Sequence, residues 1–105
     1  MLALTKENFE AEVTKHEGLV MVDFWSESCE RCMEIMPDVV ALSEKYGESL
    51  KFCKLDIKGN RRLAMAQKVM GLPSMVFYKD GEKIAHLSGE ELEVEEIENK
   101  IKELI

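Results

Sequence analysis

The stretch Leu19-Val20-Met21-Val22-Asp23-Phe24-Trp25 constrains the fold more than any other part of the chain. Its apolar residues do not alternate with polar ones, and β-branched and aromatic side chains dominate. A segment of this kind is a strand buried on both faces, so the fold must supply a covering layer on each side. Helix-period patterns flank it. Thr5 can cap a first helix running to about His16, with Phe9 and Val13 four apart on one face, and Gly18 ends it. After the polar loop Ser26-Glu27-Ser28, a long helix is predicted from about Cys29 to Tyr46, with Met36, Val39, Val40 and Leu42 facing inward. Pro37 removes one backbone donor from that helix and predicts a kink, and Gly47 is a C-terminal stop.

The rest of the chain repeats the alternation. Leu50 to Ile57 forms a second strand, and a shorter helix opens at Gly59-Asn60 and runs to about Val69, stopped by Gly71 and Pro73. Met75-Val76-Phe77-Tyr78 is a third strand, and Asp80-Gly81 is a hairpin turn into Lys83 to Leu87. Gly89 breaks that strand, and an amphipathic helix from about Val94 carries Ile97, Ile101 and Leu104 along one stripe. Strands alternating with helices predict an α/β fold: a central mixed sheet with a parallel core, an antiparallel hairpin at one side, and helices on both faces. The expected organisation is one domain over residues 1–105.

Lys plus Arg number 14 against 21 Asp plus Glu, a net charge of -7. Phosphate neutralisation dominates nucleic-acid affinity, so DNA and RNA are not expected partners. No apolar run is long enough to span a bilayer, so no membrane association is expected. The N-terminal residues Met1 to Glu7 lack a basic region followed by an apolar stretch, which argues against a secretory signal and for a cytoplasmic location. In that compartment, closely spaced cysteines point to redox chemistry or metal binding more than to structural staples.

Cys29-Glu30-Arg31-Cys32 follows directly on the buried strand and begins a helix. Residues three apart on a helix share a face at a separation that a disulfide tolerates, so the pair can open and close with little backbone movement. So small a loop gains little from constraining the unfolded chain. The helix N-terminus concentrates unpaired N–H groups and positive potential, which stabilise a thiolate. Cys29 is therefore the expected nucleophile and Cys32 the inward-facing resolving thiol. Half a zinc site is the alternative, but no second pair of cysteines or histidines completes four ligands, and no metal is expected.

Val22-Asp23-Phe24-Trp25, three residues, the Cys-x-x-Cys pair and the downstream Gly71-Leu72-Pro73-Ser74 together resemble the thioredoxin family. The likeness covers essentially the whole chain and runs without gaps from the first central strand through Gly89. It implies that Asp23 is a buried aspartate relaying a proton to or from Cys32, with Lys54 nearby in a secondary role. A carboxylate in an apolar strand is costly unless paired or protonated, which agrees; a solvated strand-edge aspartate and an outward-pointing surface lysine are the plainer alternatives. The likeness further implies that Pro73 is a cis-proline facing the disulfide and that Leu72 offers its backbone to a substrate strand. Gly71 and Gly89 would let a partner approach closely, though Gly89 would serve as well as a strand terminator. Trp25 would pack beside the redox loop, which is compatible with plain core packing.

The usual family loop is Trp-Cys-Gly-Pro-Cys; here it is Ser28-Cys29-Glu30-Arg31-Cys32. Glu30 should raise the thiolate pKa and Arg31 lower it, with exposed charges partly cancelling. Replacing Gly-Pro implies a less reducing centre. The altered loop is similar to that of thioredoxins from anaerobic bacteria that serve amino-acid reductase systems. Met33, Met70 and Met75 are expected near the redox loop or Pro73, either as adaptable docking contacts or as core filler. Cys53 is expected to pack in the sheet as a small hydrophobe.

The resemblance implies a protein-disulfide reductase, an electron carrier to disulfide-containing target proteins that uses its own Cys29–Cys32 couple and no bound cofactor. A flavin-dependent thioredoxin reductase would regenerate it, and a monomer is expected. The alternatives are a disulfide oxidase or isomerase with a raised potential, and a non-catalytic binding module of the same fold.

Overall fold

The computed structural model describes residues 1–105. A five-stranded sheet runs in the order β1-β3-β2-β4-β5, from β1 (Leu2–Ala3), β2 (Leu19–Trp25), β3 (Lys51–Asp56), β4 (Ser74–Lys79) and β5 (Glu82–Ser88). β1, β3 and β2 are parallel, while β4 and β5 run antiparallel to their neighbours. β2 lies at the centre, as its uninterrupted apolar character requires, and its residues from Val20 to Phe24 are all buried. The helices are α1 (Glu30–Tyr46), α2 (Arg61–Ala66) and α3 (Val94–Leu104).

Two apolar layers sandwich the sheet. Val20, Val22 and Phe24 join Phe9, Val13, Ala64 and Val69 from the N-terminal segment, α2 and the turn after α2. Met21 joins Ile35, Val39 and Leu42 of α1 and Ile97 and Ile101 of α3 on the opposite face. The i, i+4 pair Ile97 and Ile101 is fully buried, and each contributes roughly 2–3 kcal/mol by leaving water. Val40 does not join them. It is exposed on the outer face of α1, half a turn from the buried positions Ile35, Val39 and Leu42.

The expected first helix is much shorter than the period suggested. Thr5 Oγ1 accepts the Glu7 N–H in the preceding turn and does not cap the helix, which is only Glu10–Thr14 with Phe9 at its N-cap. Its closing bond reaches five residues, from the Lys15 N–H to the Glu10 carbonyl, a wide turn that still buries both Phe9 and Val13. β1 was not foreseen, being only two residues long and exposed. α1 continues through Pro37, whose ring lies on the exposed side.

The Asp80-Gly81 turn forms as the sequence requires: both residues have positive φ, 51° and 83°. Asp80 Oδ1 also accepts the Gly18 N–H at 2.8 Å, which ties the hairpin to the entrance of β2. A side chain at Gly81 would run into the Thr14 carbonyl, so only glycine fits there.

α2 ends three residues before the expected Val69, because Lys68 turns left-handed at φ 66°. The Lys68 N–H donates to the Met65 carbonyl and the Val69 N–H to the Ala64 carbonyl, both at 2.9 Å. That is the double bond pattern of a glycine-type helix stop, with lysine in the glycine's place and Val69 packing back on Ala64. Lys68→Gly should therefore stabilise the fold by about 1 kcal/mol, read as a higher urea midpoint at unchanged slope. A lower midpoint would show that the lysine side chain has a compensating contact.

Candidate active site

β2 delivers the chain to the redox loop. Beyond Trp25 the Ser26-Glu27-Ser28 turn closes through the Cys29 N–H to the Ser26 carbonyl at 3.1 Å, and α1 begins. Cys29 is the N-cap of α1, in extended conformation, and its Sγ accepts the Cys32 N–H at 3.2 Å. The two cysteines are disulfide-bonded with a Cα–Cα distance of 5.2 Å. They are not equivalent. Cys32 is 1% exposed, on the buried face of α1, whereas Cys29 is only partly buried and opens on a cleft.

That cleft, of about 610 Å³, is lined by Ser28, Glu30, Arg31, Glu34, Leu72 and Glu90 around Cys29. A second groove of about 270 Å³ shares Leu72 with the first and is lined further by Gly71 and, on its apolar side, by Ile57, Met65 and Met70. Met70 is 86% exposed and Met65 63%, so the methionines available to a partner are Met70, Met33 and the unforeseen Met65. Met75 is fully buried opposite Asp23 and belongs to the core.

The Leu72–Pro73 peptide is cis. Around it, Ser74 Oγ donates to the Gly71 carbonyl at 2.6 Å, and His86 Nε2 lies 3.1 Å from the same oxygen. Because the serine proton is committed to Gly71, the histidine donates through Nε2. Burial, with Lys83 nearby, holds the His86 pKa below its ordinary value. The Gly89 N–H donates to the Pro73 carbonyl at 3.1 Å from a φ of 119°, so this glycine both ends β5 and closes the loop. No local pattern marks the Ser74–His86 contact, which forms only when β4 and β5 pair.

Asp23 is 1% exposed, on the same sheet face as Met21 and thus beneath α1, and neither carboxyl oxygen has a hydrogen-bond partner within the protein. Burial drives its pKa up to about 7, against the opposing pull of the Lys54 charge. Lys54 is the register partner of Asp23 on β3, half-buried, with Nζ 5.9 Å from the centre of the Trp25 ring. The solvated-edge alternative for Asp23 and the outward-pointing alternative for Lys54 do not describe this arrangement. Trp25 is half-buried at the end of β2.

Arg31 departs from expectation. Its side chain is largely buried in the wall of the cleft. Nε and Nη2 donate to the Leu92 carbonyl at 3.1 and 2.7 Å, and Glu34 and Glu93 lie 3.7 and 3.4 Å from the guanidinium. The pair of exposed, mutually cancelling charges expected between the cysteines is therefore reduced to Glu30 alone. The Glu34 contact could be read from its i, i+3 spacing, but the Leu92 contact spans 61 residues and has no sequence signal.

A thiol pair at the end of a central strand, a buried carboxyl beneath it and a cis-proline loop together narrow the possibilities, and comparison with known proteins decides. The thioredoxin family profile matches residues 1–103. The chain belongs to the thioredoxin family. It is 46% identical to a thioredoxin of Acetoanaerobium sticklandii over 105 residues, covering all of both chains. It is 38% identical to a thioredoxin of Peptoclostridium acidaminophilum over 101 residues, 96% of this chain and 92% of that one. The crystal structure of Fasciola hepatica thioredoxin superposes with a TM-score of 0.90 at 29% identity over the whole of both chains. The fold is the thioredoxin fold, and the activity is that of a thioredoxin-like disulfide reductase. Thioredoxins work through their own dithiol without an external cofactor.

Asp23 gives this thioredoxin a pH-dependent stability. Its folded-state pKa of about 7 lies above the ordinary value of 3.8, so the native chain binds the extra proton between those values. Stability therefore falls as pH rises through that window and stays low above it. Asp23→Asn should make the oxidised protein more stable by up to about 4 kcal/mol near pH 8, with no gain below about pH 4. Urea unfolding across pH checks this, and equal stability of the two proteins near pH 8 would contradict the burial argument.

Proposed function

We propose that Cys29 is the attacking thiol, Cys32 the resolving thiol and Asp23 the acceptor of the Cys32 proton. The observation that carries this division of labour is the unequal exposure of the two cysteines: Cys29 borders the cleft while Cys32 is sealed on the inner face of α1. In the reduced protein the Cys29 thiolate attacks one sulfur of a target disulfide, forming a mixed disulfide and releasing the other target sulfur as a thiolate, which takes a proton from water. Cys32 then gives its proton to the Asp23 carboxylate and attacks Cys29 Sγ. The Cys29–Cys32 disulfide forms, the second target sulfur leaves as a thiolate that takes a proton from water, and two electrons have passed to the target.

Leu72 borders both the cleft at Cys29 and the second groove, and Gly71 borders the second, which supports their offering backbone to an extended target segment. Pro73 holds that loop and Gly89 closes it. Trp25 flanks the redox loop, and Lys54 tunes Asp23. Glu30 and Arg31 act on the redox balance, Glu30 by its charge at the cleft. The partners are disulfide-containing proteins and a flavin-dependent thioredoxin reductase that returns the two electrons. No helix is long and apolar enough to cross a membrane. A monomer in the cytoplasm, organised as one domain, completes the proposal.

Cys29→Ser should reduce the acceleration of insulin reduction by dithiothreitol to background, while Cys32→Ser should accumulate target adducts through Cys29, detected by mass spectrometry. Asp23→Asn should slow resolution of the mixed disulfide about 10- to 100-fold at neutral pH. Adducts recovered through Cys32 instead would reverse the assignment.

A further inference from the structure

We infer that Arg31 is a positioning residue: its guanidinium ties the first turn of α1 to the loop before α3 and so keeps the Cys32 N–H aimed at Cys29 Sγ when the disulfide is open. This rests on Cys29 being the attacking thiol. The tie is specific in its geometry. Two guanidinium N–H groups converge on one acceptor, the Leu92 carbonyl, at 2.7 and 3.1 Å. Lysine cannot reproduce that fork, since its ammonium is a single point on a flexible stem.

The receiving end is held as firmly as the giving end. The Leu92 side chain is buried in the same apolar layer as Ile35 and Val39 of α1, and its N–H donates to the Gly89 carbonyl at 3.1 Å. Gly89 in turn donates to Pro73, so the loop that accepts Arg31 is joined to the cis-proline turn. Arg31 thus completes a connection from α1, through the α3 entrance, to the other wall of the cleft.

In the oxidised protein the disulfide itself holds the first turn. Reduction removes that covalent restraint at the moment when the turn must present its N–H groups to a thiolate. Two bonds define the turn: the Cys32 N–H to Cys29 Sγ at 3.2 Å and the Met33 N–H to the Cys29 carbonyl at 3.2 Å. A donor aimed at the sulfur stabilises the charged form, and losing the aim raises the thiol pKa. Arg31 lies between the cysteines, where no stiffening proline is present, and its tertiary tie supplies the restraint. Glu34 and Glu93, at 3.7 and 3.4 Å from the guanidinium, offset part of its charge, and the fork to Leu92 makes geometry rather than its field on the sulfur the way it acts.

The test compares Arg31→Lys, which keeps the charge, with Arg31→Met, which removes it. Cys29 in the reduced proteins is titrated by the pH dependence of alkylation with iodoacetamide, and amide exchange of Cys32 and Met33 is followed by NMR. Both variants should raise the Cys29 pKa by a similar amount, about one unit or a tenfold loss of thiolate at lower pH. Exchange of both amides should quicken about tenfold in the reduced state and remain unchanged in the oxidised state, where the disulfide holds the turn. If Met perturbs the oxidised fold, Arg31→Gln replaces it as the uncharged variant. A lysine variant that titrates like the wild type while the uncharged one does not would assign the effect to charge and overturn the inference. So would unaltered titration or exchange in both variants. A wild-type Cys29 no more acidic than a free cysteine would instead overturn the assignment of the attacking thiol, whatever the variants do.

Discussion

Both edges and both faces of β2 are engaged. One edge pairs in parallel with β3 from Val20 to Trp25, the other antiparallel with β4 from Leu19 to Phe24, and a helical layer covers each face. A strand held this way cannot slip by one residue without turning its apolar set against the wrong layer and breaking two ladders. Its end is therefore a fixed point, and the redox loop starts there. The N-terminus of α1 inherits its position from Trp25, and Cys29 meets the Leu72–Pro73 turn because β4, which follows that turn, is β2's other neighbour.

The same enclosure creates the chemical tension of the site. Packing β2 between two apolar layers leaves Asp23 without a hydrogen-bond partner in the protein, and burial moves its carboxyl into the range where it exchanges protons near neutral pH. A leucine there would suit the fold better. A carboxyl there suits the proposed transfer of a proton from the Cys32 thiol. Lys54 limits the excess, since without a nearby cation the carboxyl would be pushed further from ionisation. Local discord of this kind is what functional positions leave in an otherwise consistent core.

Much of the arrangement was legible because it is written in short-range patterns. The apolar run of β2, the Asp80-Gly81 turn and the Ile97, Ile101 stripe each specify a local geometry, and each occurs in the structure. The cysteine spacing and the family likeness brought Asp23, Leu72 and Pro73 to the site. What escaped was decided by contacts between distant segments or by residues in unusual roles. Lys68 stops α2 with a backbone conformation that its side chain disfavours, so no composition rule marks it. Arg31 looked like a solvated charge because its partner is a backbone carbonyl 61 residues away. Met33, Met70 and Met75 have the same side chain, yet Met75 is core and the other two are surface, a distinction set by which face of which element each occupies.

Cys53 lies in β3 on the face away from α1, among Phe9, Val22 and Leu55, completely shielded, with burial pushing its thiol up to about 11. The sheet itself stands between this third sulfur and the exchanging couple. Scrambled intramolecular pairings are closed off, as is covalent cross-linking of two molecules through this position. Each molecule thus keeps a fixed capacity of one electron pair through repeated cycles.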